Sequence, residues 1–406
     1  MDVRNYIRNK WKFSIRTHNK LGNYIPVPYP YNSPCTEGLF DELYYRDTYF
    51  LNRGLLQDKL FEQAKNNILD ISYLISKYGF MPNAAREDMI NRSQPPFFIS
   101  MVIDYYKATN DKDIISETLS SMNQEIKFWL NNRSITIDGS ILFQYRSHAT
   151  DDFYINFAKE YKNRVLLLID EEADDLIIGK NALAECESGR DFSSRFNQRI
   201  LNHIPIDLNS IMYYNLKVVS QINKYFNIKI DFDYDEIANK ILAFIRKNCY
   251  KNHIYYDYDF VEKKCSKVIS MASFFPYKYG LSNSIEDYDF LYNQLLFEFG
   301  LSSTKDEEEI NYQRGFPNMR PNLVLVAFDG ANNIENHEKK LSSARFFTKV
   351  VENEFSINGK LWEKYDVNCG SKSKKNEYAE TEMLGWTAGC YCVLYDYLKG
   401  ENYGKN

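Results

Sequence analysis

The stretch ECESGRDFSSRF, Glu185 to Phe196, holds three carboxylates (Glu185, Glu187, Asp191) and two arginines (Arg190, Arg195) within twelve residues. A hydrophobic core has no use for so many charges. A site that moves protons between oxygens does, and a solvated surface loop would also tolerate them. Four other segments share the mixture. YYRDTYF (44–50) sets Arg46 and Asp47 among tyrosines, and PNAAREDMINRSQPP (82–96) carries Asn83, Arg92 and Gln94. QRGFPNMRPN (313–322) carries Arg314 and Arg320, and LWEKYDVNCGSKSKKNEYAETEMLGWTAG (361–389) carries Glu377 and Trp386. Carboxylates and amides grip vicinal hydroxyls, and ring faces stack on C–H faces, so the combination suits a sugar. Each group also has a plainer use. Asp191 beside two serines could cap a helix, Glu377 beside lysines could be a surface carboxylate, and Arg92 could sit in a structural salt bridge.

The elements that must position these groups are helical. In DKLFEQAKNNILDISYLISKYG (58–79) the residues Leu60, Phe61, Ala64, Ile68, Leu69, Ile71, Leu74 and Ile75 recur at three- and four-residue steps and run into Gly79, which predicts an amphipathic helix with a glycine stop. Similar patterns follow around residues 95–110, 113–133, 206–226, 233–250, 284–300, 321–330, 337–356 and 384–400. Alternating strand patterns are short, as in SITIDGSILFQY and CYKNHIYYDYDF. STKDEEEINYQ (303–313) reads as a solvated loop, and no long linker divides the chain. Roughly a dozen helices without a fixed repeat predict an all-α fold. An (α/α)6 barrel, or toroid, with long loops and short β-hairpins at its mouth fits the length, and a helical repeat solenoid is the competitor. Residues 1–37 are expected to be an N-terminal extension packing on a single catalytic domain over 38–406.

Bulk properties narrow the classes. Of 406 residues, 44% are hydrophobic and 26% charged, enough for a large core, and the net charge of −5 gives no reason to expect nucleic acid. The basic N-terminus lacks the apolar run of a signal peptide, and no apolar stretch is long enough to predict a membrane span. Seven dispersed cysteines without a CxxC and only five histidines argue against a zinc site and for a reducing, cytoplasmic setting. The 33 tyrosines and 27 phenylalanines would suit sugar stacking but also follow from compositional bias.

The five polar segments, in this order, resemble the signatures of the trehalase family of glycoside hydrolases. YYRDTYF is similar to a YYWDSYF-like run, and PNAAREDMINRSQPP to PNGAR…LNRSQPP. ESGRDFSSRF, followed by PIDLN, is similar to ESGWDFSSRW. QRGFPNMRPN is a degraded QWDYPNGWAP, and the last segment matches EKYDV…GEY…GFGWTNG. The matches run from about residue 38 to residue 390. The resemblance implies an (α/α)6 barrel, no cofactor, and hydrolysis with inversion. Asp191 would be the general acid and Glu377 the general base, held about 6.5–9.5 Å apart to admit the attacking water. Asp47, Asn83, Arg92, Gln94 and Trp386 match family sugar contacts, and Arg146 matches the arginine of an RPES segment that reads RSHA here. The partner would be a small-molecule or oligosaccharide substrate, and the protein a monomer or weak homo-oligomer.

The departures share a direction. Arg46, Arg190, Arg314 and Arg320 each stand where the family has tryptophan, while Leu39 replaces an arginine, His148 a glutamate and Gly315 an aspartate. Tryptophan offers a flat apolar wall; arginine offers a planar cation that forks onto carboxylate or phosphate. The four replacements would shift the local charge by about four units. They raise the expectation of an anionic sugar, phosphorylated or acidic, beside trehalose itself. A sugar-binding pseudoenzyme and a sugar-transferring enzyme of surface-polysaccharide metabolism are the alternatives. An anionic substrate predicts several guanidinium groups facing Asp191 without carboxylate partners. Residues 365–382 are expected to form a lid.

Overall fold

The computed structural model describes residues 2–17, 22–38, 40–164, 174–305, 314–373 and 381–403. These form α1 (Val3–Lys10), α2 (Tyr45–Gln57), α3 (Phe61–Tyr78), α4 (Phe98–Thr109), α5 (Asp113–Asn132), α6 (Asp151–Arg164) and α7 (Asp175–Ser188). The second half continues with α8 (Ile206–Tyr225), α9 (Tyr234–Phe244), the short α10 (Phe275–Lys278), α11 (Ile285–Leu295), α12 (Pro321–Asn333), α13 (His337–Asn358) and α14 (Gly385–Tyr403). Strands are confined to two- and three-stranded ribbons, among them the anticipated hairpin Ser134–Ile137 with Ser140–Phe143.

Local chemistry sets the helix ends. α3 buries Ala64, Ile68, Ile71, Leu74 and Ile75 and stops at Gly79, whose φ of 87° suits glycine and whose N–H donates to the Ile75 carbonyl. It begins at Phe61, later than the apolar pattern, because Lys59 takes a positive φ of 58°. Side chains of Asp174, Asp233 and Ser284 cap α7, α9 and α11 by accepting from first-turn N–H groups.

The helices close into an (α/α)6 barrel rather than a solenoid. α2, α4, α8, α10, α12 and α14 form the inner ring, and α3, α5, α9, α11, α13 and α1 lie outside it. The ring closes where α14 returns to α2. A Cβ on Gly389 would stand 2.1 Å from the Phe50 carbonyl oxygen, so the two backbones touch. α1 is tied on by Arg4, which donates to Asp58 and Asp396, and by Trp11, whose Nε1 donates to Asp58. α6 and α7 pair with each other between α5 and α8 in the chain.

The inner helices share a polarity that divides the barrel in two. Arg46 and Asp47 on α2, Asn322 on α12 and Trp386 on α14 lie in first turns and line cavities at one end. Arg53, Asp104, Lys107, Tyr214, Asp329 and Asn333 lie further along their helices and line a cavity at the other. Between them Tyr49 stacks on Phe97 at 4.6 Å between centroids, with Phe275 6.5 Å beyond.

Candidate active site

The mouth cavity encloses about 910 Å³ of empty space, the part open to solvent included. It gathers residues distant in sequence: Arg46, Asp47, Asn83, Arg92, Gln94, Asp191, Arg314 and Trp386 all line it. Beside it a tighter chamber is lined by Arg190 and Arg320, with Arg46 and Arg314 shared between the two.

The three carboxylates of ECESGRDFSSRF have three different environments. Glu187 is an anchor. It accepts from the Ser93 N–H at 2.8 Å, the Arg146 N–H at 2.6 Å and the Arg133 guanidinium, pinning the end of α7 to two loops. Glu185 is buried with neither carboxylate oxygen hydrogen-bonded. Burial pushes its pKa well above the usual range, the nearby Asp191 charge adds to this, and Arg195 opposes it. Asp191 reaches the mouth cavity with its side chain 21% exposed, so a substrate can touch it. Its carbonyl oxygen accepts from Arg314 Nε at 2.9 Å, and Arg314 Nη2 stands 4.0 Å from its carboxylate.

Around Asp191 the polar wall is held in place by the backbone. Gln94 Oε1 accepts from the Arg46 N–H at 2.9 Å, which orients the amide toward the first turn of α2. Asn83 Nδ2 donates to the Ser93 carbonyl at 3.2 Å. Arg92 forms no ion pair among the described residues; Nη1 donates to Asn91 Oδ1, and the buried Nε has no partner. Asp47 is buried, and burial raises its pKa while Arg46 and Arg314 pull it back. Trp386 stands between two cations, with Arg320 4.8 Å and Arg46 5.1 Å from its ring.

The four arginines that replace tryptophan are largely answered by carboxylates. Arg190 pairs with Asp207 at 3.2 Å, and Arg320 with Glu363 at 2.8 Å. Arg314 lies 3.8 Å from Glu363 as well as near Asp191. Only Arg46, among these four, has no carboxylate partner among the described residues, and its Nε makes no hydrogen bond. The several partnerless guanidinium groups expected around Asp191 thus reduce to one, because Glu363 and Asp207 stand behind the others.

Two expectations fall elsewhere. Arg146 is not on either of these cavities: its guanidinium folds back onto Gln144 Oε1 at 2.5 and 3.2 Å while Glu187 holds its backbone. Glu377 lies outside the described residues, as do Leu39 and residues 374–380 of the expected lid. Residues that sequence reasoning passed over also line the mouth. Glu363 belongs to the EKYDV segment, and Tyr44 precedes Arg46 in the first motif, so both were within reach of the motif itself. Phe40, Met89 and Phe157 lie outside any catalytic pattern.

A helical barrel whose inner-helix starts surround an exposed carboxyl, two amides and a tryptophan has the form of a carbohydrate-active enzyme. The sequence model of the family described as Trehalase matches residues 2–399, and the chain belongs to that family. It is similar to the trehalase of Tenebrio molitor, 25% identical over 387 residues that cover 87% of this chain and 69% of that protein. The periplasmic trehalase of Citrobacter koseri is 27% identical over 432 residues, covering 98% of this chain and 73% of the relative. Among solved structures, neutral trehalase from Saccharomyces cerevisiae shares the fold with a TM-score of 0.74 at 20% identity, over 91% of this chain and 74% of that one. The GH63 mannosylglycerate hydrolase of Thermus thermophilus, crystallised with glucose, reaches 0.66 at 13% identity, over 98% and 100%. The protein is thus a glycosidase of the trehalase family.

Proposed function

We propose that the chain hydrolyses trehalose with inversion, Asp191 donating the proton to the glycosidic oxygen and Glu377 activating the water. The observation that carries this reading is the position of Asp191, exposed to a cavity walled by Asn83, Gln94 and Trp386. A carboxyl there can be protonated before the bond breaks and ionised afterwards, which a general acid must do. Arg314, close to both Asp191 and Glu363, would hold the acid against the mouth.

The charge count favours an uncharged sugar. Arg46, Arg92 and Arg314 on the mouth are balanced by Asp47, Asp191 and Glu363. A phosphorylated or acidic sugar remains the second reading, supported by Arg46 alone. The seven cysteines are free thiols, which supports a reducing, cytoplasmic setting. Side-by-side assays on trehalose and trehalose 6-phosphate, with Asp191→Asn and Glu377→Gln, test the reading. Turnover of trehalose lost in both variants supports it. Binding without turnover by the unaltered chain would point to a pseudoenzyme, and turnover that needs an activated sugar donor would point to transfer.

A further inference from the structure

The chamber beside the mouth shares Arg46 and Arg314 with it, but Asp191, the group assigned to donate the proton, does not line it. Its wall carries Arg46, Arg190, Arg195, Arg314 and Arg320, and no carboxylate. The counter-charges lie outside its lining: Asp207 and Asp257 hold Arg195, Asp207 reaches Arg190, and Glu363, on the mouth cavity, holds Arg320. The guanidinium-bearing residues thus line the chamber while their carboxylate partners do not. Arg46 is the one of the five without a carboxylate within ion-pair distance among the described residues, and its guanidinium stands 5.1 Å from the Trp386 ring. It is buried, its Nε has no hydrogen-bond partner, and its guanidinium leans on the chamber wall at Gly189, where a Cβ would come 2.3 Å from Nη1.

Two neutral donors point the same way. Ser193 Oγ and Asn322 Nδ2 line the chamber and form no hydrogen bond among the described residues; Asn322 spends only its Oδ1, on the Leu323 N–H. Arg46 Nε is a buried donor without an acceptor, which is costly, and with these polar groups beside it under positive charge the wall is complementary to an anion. The open space admits about one water-sized body, too little for a phosphate, a carboxylate or a sugar ring.

We propose that the chamber binds a single halide ion, chloride under ordinary salt conditions, with Arg46 Nε, Asn322 Nδ2 and Ser193 Oγ as donors. The ion replaces, in charge and in volume, what an apolar wall would otherwise supply between crowded guanidinium groups. Burial, with neighbouring arginines adding to it and Asp47 and Asp207 respectively opposing it, draws Arg46 and Arg190 down to about 10. An anion among them opposes that loss of charge. Arg314 lines both cavities and donates to the Asp191 carbonyl, so the ion also steadies the segment that carries Asp191.

The test reads binding without turnover, so it stands or falls separately from the hydrolase reading. Crystals of the full chain are soaked in sodium bromide, and the bromide is located by its anomalous scattering. In parallel, Tm is followed while sodium gluconate is replaced by sodium chloride at constant ionic strength, gluconate being too large for the chamber. One bromide within about 3.5 Å of Arg46 Nε and a saturable chloride-dependent rise of about 2 °C in Tm are expected. That rise should vanish in Arg46→Met and shrink in Ser193→Ala, the second variant serving if the first does not fold. No bromide in the chamber overturns the proposal. So does a bromide with no saturable Tm response, which would mark an adventitious ion only, and so does a chloride response unchanged in the variants.

Discussion

At the far end of the barrel, Arg53 donates to both oxygens of Asp329 at 2.8 and 3.0 Å, and Lys278 reaches Asp329 at 2.5 Å and the Tyr49 hydroxyl at 2.8 Å. At the mouth, Arg46 and Arg92 are buried at Nε with no partner there. Both ends are built by the same inner helices and both are rich in charge. The difference is completeness. The far-end cluster answers its own charges, Asp104 Oδ2 making no hydrogen bond but standing 3.6 Å from Arg53, whereas at the mouth Arg46 and Arg92 have no carboxylate partner among the described residues. Charge density therefore marks neither end as the site; cations left without a carboxylate partner set the mouth apart.

Breaking the far-end cluster should show the largest effect on folding. Burial raises the pKa of Asp329, but Arg53 and Lys278 outweigh this and hold its carboxyl far below the usual range. Asp329→Ala leaves buried Lys278 without a carboxylate and Arg53 with only Asp104 at 3.6 Å, and should cost about 3–5 kcal/mol in denaturant unfolding, with turnover per folded molecule unchanged. Asp191→Asn should do the reverse, lowering turnover about 10²–10⁴-fold with little change in Tm. If Asp329→Ala lowers turnover as severely as stability, the two ends are not separable and the contrast fails.

A pH profile sharpens the comparison within the scaffold. Glu125 on α5 is buried, its Oε1 accepts from the Tyr45 hydroxyl at 2.5 Å, and Oε2 has no partner. Burial lifts its pKa to about 8, with the Tyr45 hydrogen bond opposing. The folded chain thus keeps a proton that the unfolded chain releases near pH 4.3. This stabilisation is fully present below about pH 4 and is lost as pH rises toward 8. Glu125→Gln should flatten the fall in stability between pH 5 and pH 8 by about 1–4 kcal/mol, read from Tm. An unchanged slope would mean that Glu125 is ionised in the fold.

The smallest effect is expected at Gly189, which sits at a φ of 64° against Arg46. Gly189→Ala should cost about 1 kcal/mol of stability and displace the guanidinium, raising KM for the sugar more than it lowers kcat. Equal changes in both would place Arg46 in the chemistry rather than in binding.

Much of this was legible in the chain. Apolar spacing marked α3, α5 and α8, and the order of the polar segments brought Asp47, Asn83, Gln94, Asp191 and Trp386 to one mouth. α2 and α7 were harder, because they bury polar residues, Arg46 and Asp47 at a cavity and Glu185 and Glu187 within the fold, and so break the amphipathic period on which such readings depend. The fate of the arginines was not legible. Arg190 meets Asp207 and Arg320 meets Glu363 only once the barrel closes, and Arg146 turns to Gln144 for the same reason: local geometry assigns partners that spacing does not encode.

The central claim is inverting hydrolysis with Asp191 as the acid, and proton NMR of the anomers released from trehalose tests it most directly. The account predicts one β-glucose for every α-glucose in the earliest time points, before mutarotation, and no release by Asp191→Asn. Early product that is α-glucose alone, or release that persists in Asp191→Asn, would contradict it.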